Sequence, residues 1–142
     1  MTLVLAASMA LAWLIERSRP EEISLCQRTA RIINEQGAIV PALWFTEVTN
    51  GVIVAERQGA ITSRQLSTFR ADLAALPIDM DLASPESVQA GILAIAQRSG
   101  LTAYDATYLE LAIRRNAPLA TFDRQLAEAA RAAGVAIFGD KA

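Results

Sequence analysis

The chain has no histidine, one cysteine (Cys26) and one lysine (Lys141) in 142 residues. Without histidine there is no His-based nucleophilic triad, no His-ligated zinc and no HExxH site. A lone cysteine excludes an internal disulfide and a CxxC pair. Set within a helical pattern, Cys26 reads as a buried structural thiol. Any general base or metal ligand must therefore be a carboxylate, a hydroxyl or an amide. Long apolar runs are also missing. The longest, residues 3–15, is too short to span a bilayer. No Lys or Arg precedes Arg17, so the cationic start of a signal peptide is absent. The expectation is a cytoplasmic protein with no membrane partner.

The composition that remains is 53% hydrophobic and 20% charged, which describes a compact globule rather than a disordered chain. The length suits one domain, residues 1–142, burying about two thirds of its unfolded surface. A net charge of −2 does not advertise a nucleic-acid binder, although a local basic patch stays open. Twelve of the thirteen basic residues are Arg. Arg suits bidentate phosphate recognition, and an Ala- and Arg-rich chain is also what a GC-rich genome yields.

Short apolar runs alternate with longer helical patterns. Leu3–Ala7 reads as a strand, with Ser8 capping a helix to about Arg17. A helix over 21–36 ends at Gly37, and 38–40 is a brief strand. Pro41 opens a helix over 42–58, closed by Gly59. Thr62 or Ser63 caps the next, to about Leu76, and 78–82 is a third strand. Ser84-Pro85-Glu86 starts a helix to about Ser99-Gly100, and Thr102 starts another to about Asn116. Residues 118–121 form a strand, Asp123 caps a helix to about Ala133, and 135–138 is a last strand. This alternation predicts an α/β fold with a parallel sheet of four to five strands and helices on both faces. An additional αα-hairpin, around Gly59, lies outside strict alternation.

In such a sheet, function collects at the carboxyl ends of the strands. Asp123 follows the strand "PLAT", with Thr121 at its tip. Asp105 lies in the first turn of the helix begun by Thr102. Glu47 lies on the helix after "AIV", along a face with Leu43, Gly51 and Val54. Each has a plain structural role open to it: Asp123 as an N-cap, Asp105 in a capping box with Thr102, Glu47 as a solvated acid. A carboxylate on an apolar face is costly unless paired or bound to a cation. Three acids at one sheet edge would raise each other's pKa. Hard oxygen ligands without His or Cys select Mg²⁺ or Mn²⁺ over zinc. The first strand should be central, yet its tip carries Ala6 and Ala7, which have no chemistry.

The segments "LVLAASMALAWL" at the start, "PALWFTEVTNGV" at 41–52, "GLTAYDATYLELAIRRNAPLATFDRQL" at 100–126 and "AGVAIF" at 133–138 resemble the PIN-domain ribonucleases, in particular VapC-type toxins of bacterial toxin–antitoxin pairs. The resemblance runs in order along nearly the whole chain, and its third segment is the most specific. It implies a PIN-like three-layer α/β/α fold, an acidic pocket for Mg²⁺ or Mn²⁺, and endoribonuclease activity. It makes Glu47, Asp105 and Asp123 metal-site acids, with Thr121 in support and Asn50 assisting. It also implies a VapB-type antitoxin partner, an RNA substrate and a homodimer. The family pattern has Asp where this chain has Ala6. The resemblance thus explains the empty tip as an Asp replaced by Ala, and implies a strongly impaired enzyme.

Arg114, Arg115 and Arg124 are candidates for RNA phosphate contacts, although Arg114 and Arg115 also suit the last turn of a helix. A second reading is a catalytically dead PIN-fold protein-binding module, with Trp13, Trp44 or Phe45 lining a groove or lying in the core. A third is a flavodoxin-like phosphoacceptor domain. That class needs an acid pair after the first strand and a Lys after the last; here the first strand ends in Ala6-Ala7, and the one Lys, Lys141, is terminal.

Overall fold

The computed structural model describes residues 2–141. They form β1 (Leu3–Leu5), α1 (Ala7–Leu11), α2 (Pro20–Gln36), β2 (Ala38–Val40), α3 (Ala42–Arg57), α4 (Ser63–Ala75), β3 (Ile78–Met80), α5 (Pro85–Ser99), α6 (Ala103–Arg115), β4 (Leu119–Ala120) and α7 (Arg124–Ala132). The four strands make one parallel sheet in the order β3-β2-β1-β4. Helices flank this central sheet in a PIN-like α/β fold. β1 and β2 are buried along their whole length, as a parallel sheet covered on both faces requires. β3, at the edge, is partly exposed and carries Asp79, a charge that discourages edge-to-edge pairing.

Local chemistry sets most helix boundaries. Thr62 and Gln65 form a reciprocal capping box at α4. Ser84, Thr102 and Asp123 each accept a backbone N–H at the starts of α5, α6 and α7. α2 opens with Pro20 and two acids, and buries Cys26, Thr29 and Ile33 along one stripe. Cys26 is a free, buried thiol, and burial pushes its pKa up.

Four expectations change. The first helix starts at Ala7 with Ala6 as its N-cap and ends at Leu11, because the Ser8 hydroxyl is spent on a tertiary bond described below. β1 correspondingly stops at Leu5. The last strand, 135–138, shrinks to a single bridge between Leu119 and Ile137, with two hydrogen bonds to Leu119. Finally, helices α3 and α4 around Gly59 are not a lone hairpin. Each of the three crossovers carries two helices, and α5 against α6 is the most extensively packed pair. No helix among the described residues is long and apolar enough to cross a membrane.

Gly37 ends α2 at φ 83° and ψ 169°, a region open essentially to glycine alone. A Cβ there would sit 3.4 Å from the Pro77 carbonyl oxygen. Gly37→Ala is therefore expected to cost about 1–3 kcal/mol. Urea unfolding should show a lower midpoint at unchanged slope.

Candidate active site

The chain leaves β1 for β2 on one side, and later crosses from β3 to β4 on the other. The strand order thus turns between β1 and β4, and a crevice opens outside their carboxyl ends. A cavity of about 510 Å³ lies there, lined among others by Ala6, Glu47, Asn50, Asp105, Thr121 and Asp123. α3 brings Glu47 and Asn50 to it by packing on α1. Gly51 permits that approach, since a Cβ in its place would overlap the Leu11 side chain.

A hydrogen-bond chain ties the two strand tips together. Ser8 Oγ lies 3.2 Å from Thr121 Oγ1 and accepts the Phe122 N–H at 3.0 Å. Thr121, itself buried, accepts the Asp123 N–H at 3.0 Å. Asp123 Oδ1 accepts the Leu126 N–H at 2.9 Å, so this carboxylate caps α7 with one oxygen while lining the cavity. Arg17 adds a cation over the Phe122 ring, 4.2 Å from its centroid, and pairs with Glu22 at 2.6 Å.

Asp105 sits in the first turn of α6, where its backbone N–H donates to Thr102 Oγ1 at 3.2 Å. Burial raises its carboxyl pKa, and the charges of Asp123 and Glu47 raise it further, against an opposing hydrogen bond to Thr102. The three acids therefore face one another closely enough to repel. Glu47 is half-buried and accepts the Tyr108 hydroxyl at 2.5 Å. Burial first, and the Glu47 bond second, drive the Tyr108 pKa far upward, so the phenol stays a donor. Ala6 holds the extended conformation of an N-cap, at φ −76° and ψ 151°, but offers no side chain to α1. Asp is among the favoured residues for that position.

The donor set here is oxygen only, three mutually repelling carboxylates with no basic side chain on the cavity wall. That chemistry fits a hard divalent cation. Among the described residues, no three acidic or cysteine side chains are gathered tightly enough to hold an ion. The physical reason is visible: Glu47 is drawn to Tyr108, Asp123 is engaged with α7, and Ala6 supplies no oxygen.

Two residues of the site escape the sequence reading. Tyr108 lies three residues after Asp105, on the same helical face, and that spacing is the signal for it. Ser8 lies two residues beyond Ala6, and its local reading as a cap hides its bond to Thr121. The arginines fall elsewhere. Arg114 makes a two-pronged pair with Asp81, at 3.1 and 2.6 Å, and bonds Glu110 at 2.9 and 3.0 Å. Arg115 lines a separate surface cavity along β3, with Asp79 and Met80, away from the acidic one. Arg124 is exposed at the first position of α7, outside the cavity wall. Trp44 is buried, whereas Phe45 is exposed, its ring meeting Trp44 edge-on at 5.0 Å. Trp13 is half-buried and donates to the Cys26 carbonyl at 3.0 Å.

Two outcomes follow from these contacts. Thr121→Val keeps the shape but removes the acceptor of the half-buried Asp123 N–H, and should lower unfolding stability by about 1 kcal/mol. The Asp105 pKa is raised on folding, so its ionisation opposes folding. That penalty is present above the folded pKa and absent below the unfolded value of about 3.9. Asp105→Asn should therefore melt at a higher temperature than the parent at pH 7, with the gap closing as the pH falls towards 4 in thermal scans.

The PIN domain family model matches residues 4–132. Among solved structures, the fold is similar to the crystal structure of PAE2754 from Pyrobaculum aerophilum, with a TM-score of 0.66 at 20% identity over 91% of this chain and 86% of that one. No curated protein matches the chain. PIN domains are generally nucleases and typically use divalent metals. With the family match running from β1 into α7, and the acids of α3, α6 and the α7 cap on one cavity, the chain belongs to the PIN domain family.

Proposed function

We propose that this chain derives from a metal-dependent endoribonuclease, the VapC-type toxin of a toxin–antitoxin pair, in which Ala6 replaces an active-site Asp. The observation that carries the reading is the convergence of Glu47, Asp105 and Asp123 with Ala6 on one cavity at the strand-order switch. Glu47, Asp105 and Asp123 would hold Mg²⁺ or Mn²⁺, which supplies Lewis acidity at phosphorus and a water of lowered pKa. Thr121 and Ser8 fix the β4 tip and hence the Asp123 carboxylate. Tyr108 holds Glu47 by its hydroxyl and keeps that carboxylate oriented. Asn50 offers an amide on the same wall.

Ala6 removes an oxygen ligand and an N-cap at once. An Asp there is the one change that would answer both deficits. The chain with Ala6 is accordingly strongly impaired. A cavity walled by carboxylates, without a basic residue, also suits capping by an Arg from a VapB-type antitoxin. The remaining parts of the reading are a homodimer and a single domain spanning 1–142. Ala6 also supports a second reading, a PIN-fold protein-binding module that has lost catalysis, which keeps its partner and lacks metal affinity.

Ala6→Asp is expected to cleave single-stranded or structured RNA with Mg²⁺ or Mn²⁺ and to stop in EDTA. The parent should be slower by roughly 10²-fold or more. Glu47→Gln in the Ala6→Asp background should return the rate to the parent's level. If Ala6→Asp cleaves no RNA and binds no Mn²⁺ by calorimetry, the nuclease reading fails and the binding module takes its place.

A further inference from the structure

A second cavity, of about 770 Å³, lies between the carboxyl end of β3 and helices α5 and α6. It shares two wall residues, Leu43 and Tyr104, with the acidic cavity. Tyr104 immediately precedes Asp105 in the first turn of α6. It is 61% exposed, and among the described residues its hydroxyl has no hydrogen-bond partner. A large aromatic face left to solvent at the partition between two cavities does nothing for the core. Other apolar groups edge the second cavity, notably Met80 and Leu82, the latter 85% exposed.

The charges of this second cavity say what does not go there. Its walls carry the carboxylates of Asp81, Glu86 and Glu110 against the single guanidinium of Arg114. Arg114 is already shared between Asp81 and Glu110. A phosphate would meet net negative charge. A neutral, flat, partly apolar group would not, and the Gln89 amide and Thr107 hydroxyl are on the wall to meet its polar edge. An unpaired nucleobase has that chemistry.

We propose that Tyr104 is the stacking platform for an unpaired RNA base adjoining the phosphate held at the acidic cavity, and that the cavity between β3, α5 and α6 receives that base. Tyr104 is then a positioning residue, setting which phosphate meets Glu47, Asp105 and Asp123. Stacking on an aromatic face tolerates any base. Selection falls on strandedness, since a paired base keeps its faces covered. The inference rests on the nuclease reading for its substrate class, and its test needs no catalysis.

The parent chain, which retains Ala6, serves as the binding form. Its affinity for a fluorescein-labelled eight-nucleotide single-stranded RNA, and for a hairpin RNA, is measured by anisotropy at low salt in Mg²⁺. Tyr104→Ala is expected to weaken single-strand binding by roughly 10-fold or more, and to leave hairpin-stem binding within about 3-fold. Tyr104→Phe and Tyr104→Trp should retain the affinity, and Tyr104→Trp should gain an RNA-dependent quench of indole emission. Equal single-strand affinity of Tyr104→Ala and parent overturns the proposal, as does a parent that binds no single-stranded RNA. Cleavage by Ala6→Asp is scored separately. Cleavage without a Tyr104 effect sinks the stacking role alone, whereas a Tyr104 effect without cleavage sinks the nuclease reading alone.

Discussion

The site depends on one join, the pairing of β1 with β4 and the Ser8–Thr121 contact at its carboxyl end. β1 leads into Ala6, β4 leads into Thr121 and Asp123, and the strand order turns between them. Every acid of the cavity is placed relative to that seam. Asp123 hangs from it through the Thr121 hydroxyl. α6 packs against both β1 and β4 and so brings Asp105 and Tyr108 alongside. α3 reaches it through α1, with Glu47 held by Tyr108. Carboxylates of like charge on one cavity do not assemble themselves. The buried seam beneath them supplies the cohesion that their own charges oppose.

Two kinds of constraint divide the molecule. The sheet and the helix starts are over-determined: apolar strands, caps and prolines agree with one another, as expected of a consistently specified fold. The carboxyl edge departs from that pattern. It gathers like charges, leaves α1 without a capping side chain at Ala6, and half-buries Glu47. Departures of this kind concentrate where function does. The Asp81–Arg114–Glu110 network, by contrast, pairs both carboxylates with one guanidinium, which lowers the pKa of Asp81. It ties β3's exit to α6 as structure.

The parts legible in the sequence are those whose physics is local. Thr62, Ser84, Thr102 and Asp123 cap helices with bonds three residues away, so their types and spacing suffice. Gly37 is likewise readable from its own backbone. Ser8 was misleading because a distant hydroxyl, Thr121, outcompetes the local cap. Residues 135–138 have strand composition, but they lie beyond β4 with one neighbour only, and pairing stops at a bridge. Tyr108 carries no local sign of its partner Glu47, sixty-one residues away. Arg114 follows the rule for cations at helix ends, and nothing local announces Asp81 as its partner. The acids themselves were legible as a set because strand ends are where a parallel sheet places its chemistry.

The Ser8–Thr121 contact spans 113 residues of sequence, and β1 finds its β4 partner only once all the elements between them exist. Such long-range parallel pairing forms late, after the entropy of closing the intervening chain has been met. On a ribosome, β1 emerges first and waits, since β4 and the cap at Asp123 follow only after two further strands and six helices. The acidic cavity therefore has no counterpart in any shorter nascent chain. In a protein of this topology the acidic edge is assembled in a single event, when β4 pairs with β1.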